Sequence, residues 1–265
     1  MRPDTARALL ATGEQHSTGK THVGVLVPWG NMVVEEELPC AGVETAVFHY
    51  ARLVPARRYR NADDFLGEIA AAVPSALEQF ARLPLAGVLV ACTSVGFLAP
   101  EAYADTPVVD AFAAILDALA RLDAHRILLA TPYPLAHTAK QAAAFAAAGV
   151  HVCAHASLDL GLLDDFAGVT TDRIMTLVDG ISSQALTDAD AVVLSCTAWP
   201  TRVATKVLED RLGKPVLSSN LALAISAAGM ARPRRINDDR SGNAHRLSAV
   251  GEVHRPDSAA RRRAT

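Results

Sequence analysis

Hydrophobic and polar positions along this chain follow two alternating periods. Apolar runs of strand length recur from His22 onward: HVGVLVPW, VETAVFHYARLV, AGVLVACTS, PVVDA, HRILLATPY, VHVCAHASLDL, DAVVLSCTA and PVLSS. Between most of them lie Ala-rich stretches with helical spacing, namely DDFLGEIAAAVPSALEQFARL, FAAILDALARL, LAHTAKQAAAFAAAG and TDRIMTLVDGISSQAL. Nearly continuous apolar strands separated by helices predict parallel sheets covered on both faces. In such α/β folds ligands bind beyond the carboxyl ends of the strands. The informative residues are therefore expected where a strand stops and the next segment begins.

Two of those junctions match. VLVACTSVGF and VVLSCTAWPT are each a buried strand ending in Cys-Thr. The repeat predicts two similar flavodoxin-like α/β halves, each offering one cysteine to a shared cleft. The expected boundaries are a leader over 1–21, a first half over 22–115 plus 219–231, a second half over 116–218, and a tail over 232–265. That tail carries nine arginines, four acids and no periodic apolar pattern, the composition of a solvated, disordered segment. The polar leader is expected to be disordered too.

Composition narrows the class without deciding it. Of 265 residues 51% are hydrophobic, enough for a large core. A formal net charge of −3 gives no reason to expect nucleic acid or an anionic membrane as partner. No apolar run reaches the roughly 18–20 residues of a bilayer span. No secretory signal opens the chain, so a cytoplasmic protein with reduced thiols is expected. Thr12–Thr21 (TGEQHSTGKT) invites a phosphate-loop reading. Five residues separate Gly13 and Gly19, and the motif precedes a strand, so it is rejected. No glycine-rich dinucleotide fingerprint appears, and no cofactor is expected.

The four cysteines are Cys40, Cys92, Cys153 and Cys196. Cys92 and Cys196 stand at the two matching strand ends. A thiol at a helix N-terminus is acidified, and the unpaired backbone N–H groups there cradle a carboxylate. The hydroxyls of Thr93, Ser94 and Thr197 can add to that cradle. A cysteine can also be a small buried hydrophobe; two in matching contexts favour function. Cys40 follows a proline, and His151, Cys153 and His155 alternate along one strand. A zinc site usually draws ligands from more than one element, so no metal is expected. Asn31, after the first strand, serves as a helix cap or donates its amide to a ligand. Tyr133, at the end of HRILLATPY, can reach the same cleft.

Together these residues resemble the aspartate/glutamate racemase superfamily, and within it the maleate cis–trans isomerase and arylmalonate decarboxylase group. VGVLVPWGNMVVEEELP is similar to that group's opening strand and Asn-containing loop, and ACTSVGF and SCTAWPT to its two cysteine motifs. ATPYPLAHTAKQAAAFAAAG and KPVLSSNLALAISAAG resemble its Thr-Pro-Tyr strand and its closing strand and helix. The resemblance runs from about His22 to Met230. It implies two α/β halves with the active site between them, in a homo-oligomer (dimer or tetramer). Cys92 would be the nucleophile or first acid/base and Cys196 its opposite partner. Asn31, Tyr133, Thr93, Ser94 and Thr197 would hold a small carboxylate substrate. The decarboxylases keep only the second cysteine, so two thiols favour isomerisation or racemisation over decarboxylation.

One departure stands out. LGLLDDFAGVTTDRI is similar to the isomerases' stretch containing an Asp-Asn pair, but here the pair is Asp164-Asp165. A desolvated Asp165 would repel a second substrate carboxylate by on the order of several kcal/mol. Trp29 and Trp199 are expected beside an apolar pocket. The expected activity is a cofactor-independent two-cysteine isomerase resembling maleate cis–trans isomerases. The alternatives are an amino-acid or hydantoin-type racemase, an arylmalonate-type decarboxylase, or a non-catalytic carboxylate-binding regulatory protein.

Overall fold

The structure is a computed structural model that describes residues 20–95, 108–161 and 165–230. The expectations for the leader and the basic tail lie outside the described residues. Eight strands form two parallel sheets. The first holds β1 (Thr21–Pro28), β2 (Ala46–Leu53), β3 (Gly87–Val90) and β4 (Val108–Asp110) in the order β2-β1-β3-β4. The second holds β5 (Arg126–Thr131), β6 (His151–Ser157), β7 (Ala191–Leu194) and β8 (Val216–Ser218) in the order β6-β5-β7-β8. The two orders are the same, so the Cys-Thr repeat reflects a repeated topology.

The helices are α1 (Val33–Glu37), α2 (Ala62–Glu78), α3 (Ala111–Arg121), α4 (Leu135–Ala147), α5 (Thr171–Asp179), α6 (Ser183–Asp188), α7 (Arg202–Leu212) and α8 (Ser219–Met230). None among the described residues is long and apolar enough to cross a membrane. TDRIMTLVDGISSQAL, read as one helical stretch, is two helices. Gly180 caps the end of α5, and the Ser182 hydroxyl accepts the Ala185 N–H to start α6. A local cap stops the helix where the apolar spacing alone would have let it continue.

Strand alternation partitions the core. Val23, Val25 and Val27 of β1, Ile127 and Leu129 of β5, and Ala191 and Val193 of β7 share one cluster with buried faces of α3 and α8. Intervening positions turn the other way. Leu26, Val88 and Val90 pack with Ile69 and Val73 of α2, and Leu128, Ala130, Val192 and Leu194 pack with Ile174 of α5 and Leu208 of α7. The central strands β1, β3, β5 and β7 are thus buried on both faces, which is why each reads as a continuous apolar run. Gly24 permits the close approach on β1, because a Cβ there would lie 2.8 Å from the Phe80 ring.

The order reverses direction between β1 and β3 and again between β5 and β7. Such a switch point opens a crevice at the strands' carboxyl ends. Asn31 follows β1, Cys92 follows β3, Tyr133 follows β5 and Cys196 follows β7. Four of the residues singled out in the sequence therefore leave the four central strands.

Candidate active site

A cavity of about 430 Å³ lies at these strand ends. Cys92 and Cys196 line it together with Asn31, Ser94, Tyr133, Asp165 and Thr197. Trp29, Met32, Tyr59, Phe65, Leu66 and Phe166 supply an apolar wall. No lysine or arginine is among the described lining residues.

Asn31 is both a cap and a bridge. Its Oδ1 accepts the N–H groups of Val33 (3.1 Å) and Val34 (3.3 Å) at the start of α1, and its Nδ2 donates to Thr197 Oγ1 at 3.0 Å. An amide NH2 carries two hydrogens, so one remains for a ligand. Arg52 donates to the Asn31 carbonyl and pairs with Glu35, which fixes the loop from behind. Thr197 in turn donates its hydroxyl to Ala91 O at 2.7 Å, beside Cys92. This bond ties the loop after β7 to the end of β3.

Glu37 strengthens the same junction. Its buried carboxylate accepts Arg202 N–H at 2.7 Å, Thr201 Oγ1 at 3.2 Å and Asn220 Nδ2 at 2.9 Å. Asn220 also donates to Thr197 O at 3.1 Å. Asn220 and Glu37 escaped notice in the sequence, where Glu37 is the last of three consecutive glutamates.

The two thiols have different neighbours. Cys92 receives the backbone N–H groups of Ser94 and Val95, while the carboxylate of Asp110 acts against its ionisation. Cys196 accepts the Ala198 N–H at 3.4 Å, and the nearby Tyr133 hydroxyl favours its thiolate. Burial dominates both: it pushes Cys92 up to about 11 and Cys196 up to about 12. The expectation of acidified thiols at helix starts is thereby corrected. Five residues separate Cys196 from the first residue of α7, and Cys92 is held by the local N–H groups of its own turn. Desolvation outweighs those few hydrogen bonds, so both sulfurs rest as thiols at neutral pH. Burial also drives the Tyr133 hydroxyl well above its ordinary value, with further upward pushes from Cys196 and Cys92.

Other expected residues divide. Ser94 lines the cavity, and its Oγ lies 2.8 Å from His137 Nε2. Thr93 is buried with its hydroxyl 3.0 Å from Ser219 Oγ, and it is not on the cavity wall. Asp165 reaches the wall but is exposed, and its Oδ1 accepts Gly168 N–H at 3.0 Å. Asp164 lies outside the described residues. Trp29 stands half exposed at the cavity, whereas Trp199 is fully buried in the core of the second sheet and does not line it. The β5–β6 register slips so that Ile127 faces Val152 and Leu128 faces Ala154, leaving Cys153 in a bulge. That slip interrupts the alternation that had placed His151, Cys153 and His155 on one face.

His137 is the residue the sequence reading missed outright. It sits in the first turn of α4, with its ring edge-on to Tyr133 at 4.9 Å between centroids. The spacing from Tyr133 to His137 in TPYPLAH was the available signal.

The family model for arylmalonate decarboxylase matches residues 99–243. The chain belongs to the arylmalonate decarboxylase family. Among its relatives within the wider aspartate/glutamate racemase-like superfamily, a maleate isomerase of Geobacillus stearothermophilus is 26% identical over 221 residues, or 74% of this chain and 86% of that protein. A solved maleate cis–trans isomerase of Nocardia farcinica, a cysteine-to-serine mutant with a covalently bound succinylcysteine intermediate, superposes with a TM-score of 0.69 at 23% identity. The match covers 80% of this chain and 93% of that one. A liganded double mutant of arylmalonate decarboxylase gives 0.68 at 22% identity, covering 82% and 94%. These likenesses establish the α/β fold of this family member.

Proposed function

We propose that this chain is a cofactor-independent two-cysteine isomerase acting on a small carboxylate or dicarboxylate, in the manner of a maleate cis–trans isomerase. One observation carries the reading: two thiols leaving the central strands of two like-ordered sheets line one cavity with hydroxyl and amide donors. The proposal includes halves over 22–115 plus 219–231 and over 116–218 meeting at that cavity. It also includes a homo-oligomer, which light scattering tests.

Of the two thiols, Cys92 is raised less and has two backbone N–H groups on its sulfur, so it is the one that ionises to attack. Its thiolate adds to one olefinic carbon of a cis-enedioate. The π pair shifts to the neighbouring carbon and its carboxylate, where the Tyr133 and Ser94 hydroxyls and the spare Asn31 hydrogen stabilise the enediolate-like charge. Cys196 gives its proton to that carbon. The former double bond is now single and rotates. Cys196 then removes a proton, the C–S bond breaks, and the trans acid leaves with both cysteines restored.

A second reading is favoured by the apolar wall of Tyr59, Phe65 and Leu66, which suits an aryl or alkyl substituent. It is decarboxylation of a substituted malonate, with Cys196 protonating the carbanion. Incubation in deuterated water with maleate, arylmalonates and amino acids separates the readings. Trans-acid formation supports isomerisation, carbon dioxide release supports decarboxylation, and α-deuteration without either supports racemisation. Inertness toward the whole panel would favour a binding protein.

A further inference from the structure

Glu37 does not line the cavity, yet it is tied to what does. Its carboxylate is buried at the end of α1 and takes Arg202 N–H at 2.7 Å, Thr201 Oγ1 at 3.2 Å and Asn220 Nδ2 at 2.9 Å. The first two stand at the start of α7, where Thr201 caps no backbone N–H with its own side chain. A carboxylate is favoured there, because the leading N–H groups of a helix lack intrahelical partners. The third contact leads to the cavity wall. Asn220 Nδ2 carries two hydrogens, one on Glu37 and one on Thr197 O at 3.1 Å. Its Oδ1 is buried without a hydrogen bond among the described residues. Thr197 follows Cys196 directly, and its hydroxyl is fixed between Asn31 and Ala91 O. One carboxylate therefore grips both ends of the segment from Thr197 to Arg202.

We infer that Glu37 is a positioning residue for Cys196, acting through the amide of Asn220. An amide can turn either its NH2 or its oxygen toward a neighbour, and only the NH2 suits Thr197 O. An ionised carboxylate accepts and never donates, so Glu37 keeps the Asn220 nitrogen facing itself and Thr197 O together. A glutamine at this place has to aim its own NH2 at one of the donors. Aimed at Arg202, it sets two N–H groups against each other. Aimed at Asn220, it forces that amide to flip and brings Oδ1 against Thr197 O. In either case the loop that carries Cys196 loses an anchor. The inference rests on the proton-transfer role proposed for Cys196, whose sulfur has to stay within reach of the substrate carbon. It adds a residue beyond the wall that sets where this sulfur stands.

Alkylation by iodoacetamide tests the placement without substrate, so its outcome does not depend on finding isomerase activity. Peptide mass mapping follows Cys92 and Cys196 in the same sample of whole protein. Glu37→Gln and Asn220→Ala should each speed alkylation of Cys196 by about tenfold or more relative to Cys92, because an unanchored loop opens more often. Asn220→Ala keeps both contacts of Glu37 with α7, and it decides the question should melts show that Glu37→Gln does not fold. Thr205→Val is the control for lost stability alone, since it removes a buried hydroxyl bond to Thr201 O at 2.8 Å. It should leave the ratio within about twofold of wild type. An unchanged ratio in the folded variants overturns the inference, and so does a rise in only one of them, because the carboxylate acts through the amide. An equal rise at Cys92, or the same rise in Thr205→Val, overturns it too: Glu37 then supports the fold and no sulfur in particular. A raised ratio with wild-type turnover of a converted substrate upholds the positioning and removes the acid/base role of Cys196 instead.

Discussion

The two Cys-Thr junctions are near copies in sequence and differ in what surrounds them. After β3, the Cys92 sulfur is met by backbone N–H groups, and the neighbouring Thr93 hydroxyl turns away to Ser219. After β7, the Cys196 sulfur is met by a single backbone N–H, that of Ala198 at 3.4 Å, and the Thr197 hydroxyl spans the site between Asn31 and Ala91. In the proposed mechanism the first sulfur forms the bond to carbon and the second moves the proton. A duplicated strand–loop motif has been specialised by its third-dimension neighbours.

The largest expected effect comes from the sulfurs. Cys92→Ser and Cys196→Ser should each lower turnover on the order of a thousandfold while leaving the melting temperature within a few degrees, since the volume change is small. Equal, nearly full activity in both variants would remove the two-thiol reading. Tyr133→Phe comes next, with an expected loss of about a hundredfold in kcat, because it takes away a cavity-wall hydroxyl that the proposed mechanism uses to stabilise the developing charge. Steady-state kinetics on the same substrate checks both.

The threonines sharpen the comparison. Thr197→Val cuts the links to Asn31 and to Ala91 O and should cost about tenfold in kcat/KM. Thr93→Val should leave turnover near wild type and cost about 1 kcal/mol of stability through the lost bond to Ser219. Denaturant titration beside kinetics distinguishes the two. A reversed ranking would mean that Thr93 faces the substrate.

Alkaline pH gives a further test. Burial holds the folded thiols near 11 and 12, against roughly 8.5 in an unfolded chain. Between about pH 9 and those values the unfolded chain has released protons that the folded one keeps, so stability falls as pH rises. The stability is fully present below about pH 8.5 and is lost through the window. Either Cys→Ser change should flatten that fall in a pH series of melts. Activity moves the other way: kcat/KM should climb with pH from 6 to 9 as the Cys92 thiolate fraction grows. The smallest effect is expected from Asp165→Asn. Asp165 is solvated and held by Gly168 N–H, so its repulsion of a dicarboxylate is screened to about threefold or less in KM.

Much of this architecture is written in local pattern. Strands buried on both faces declare themselves as apolar runs, and Asn31, Cys92, Tyr133 and Cys196 mark their ends because ligands gather at that edge of an α/β fold. What the pattern does not carry is the surroundings. The direction of the thiol shifts depends on burial by residues distant in sequence, such as Tyr133 and Val169, which share the core cluster of the second sheet with Cys196. Thr93 and Thr197 look alike until Ser219 and Asn31 are placed beside them. His137 becomes notable only when Ser94, from the other sheet, comes within 2.8 Å of its ring. The break at Gly180 was local and legible, but the apolar spacing across it looked continuous.

The central claim is that Cys92 forms the bond to carbon while Cys196 moves the proton. Peptide mass mapping of Cys196→Ser after incubation with maleate tests it most directly, because the variant should add substrate and stall. The account predicts a succinyl adduct on the Cys92 peptide, its carbon protonated slowly from solvent and then held because no thiolate removes that proton, with Cys40 and Cys153 unmodified. An unmodified Cys92, in a preparation whose wild type converts maleate to fumarate, would contradict it.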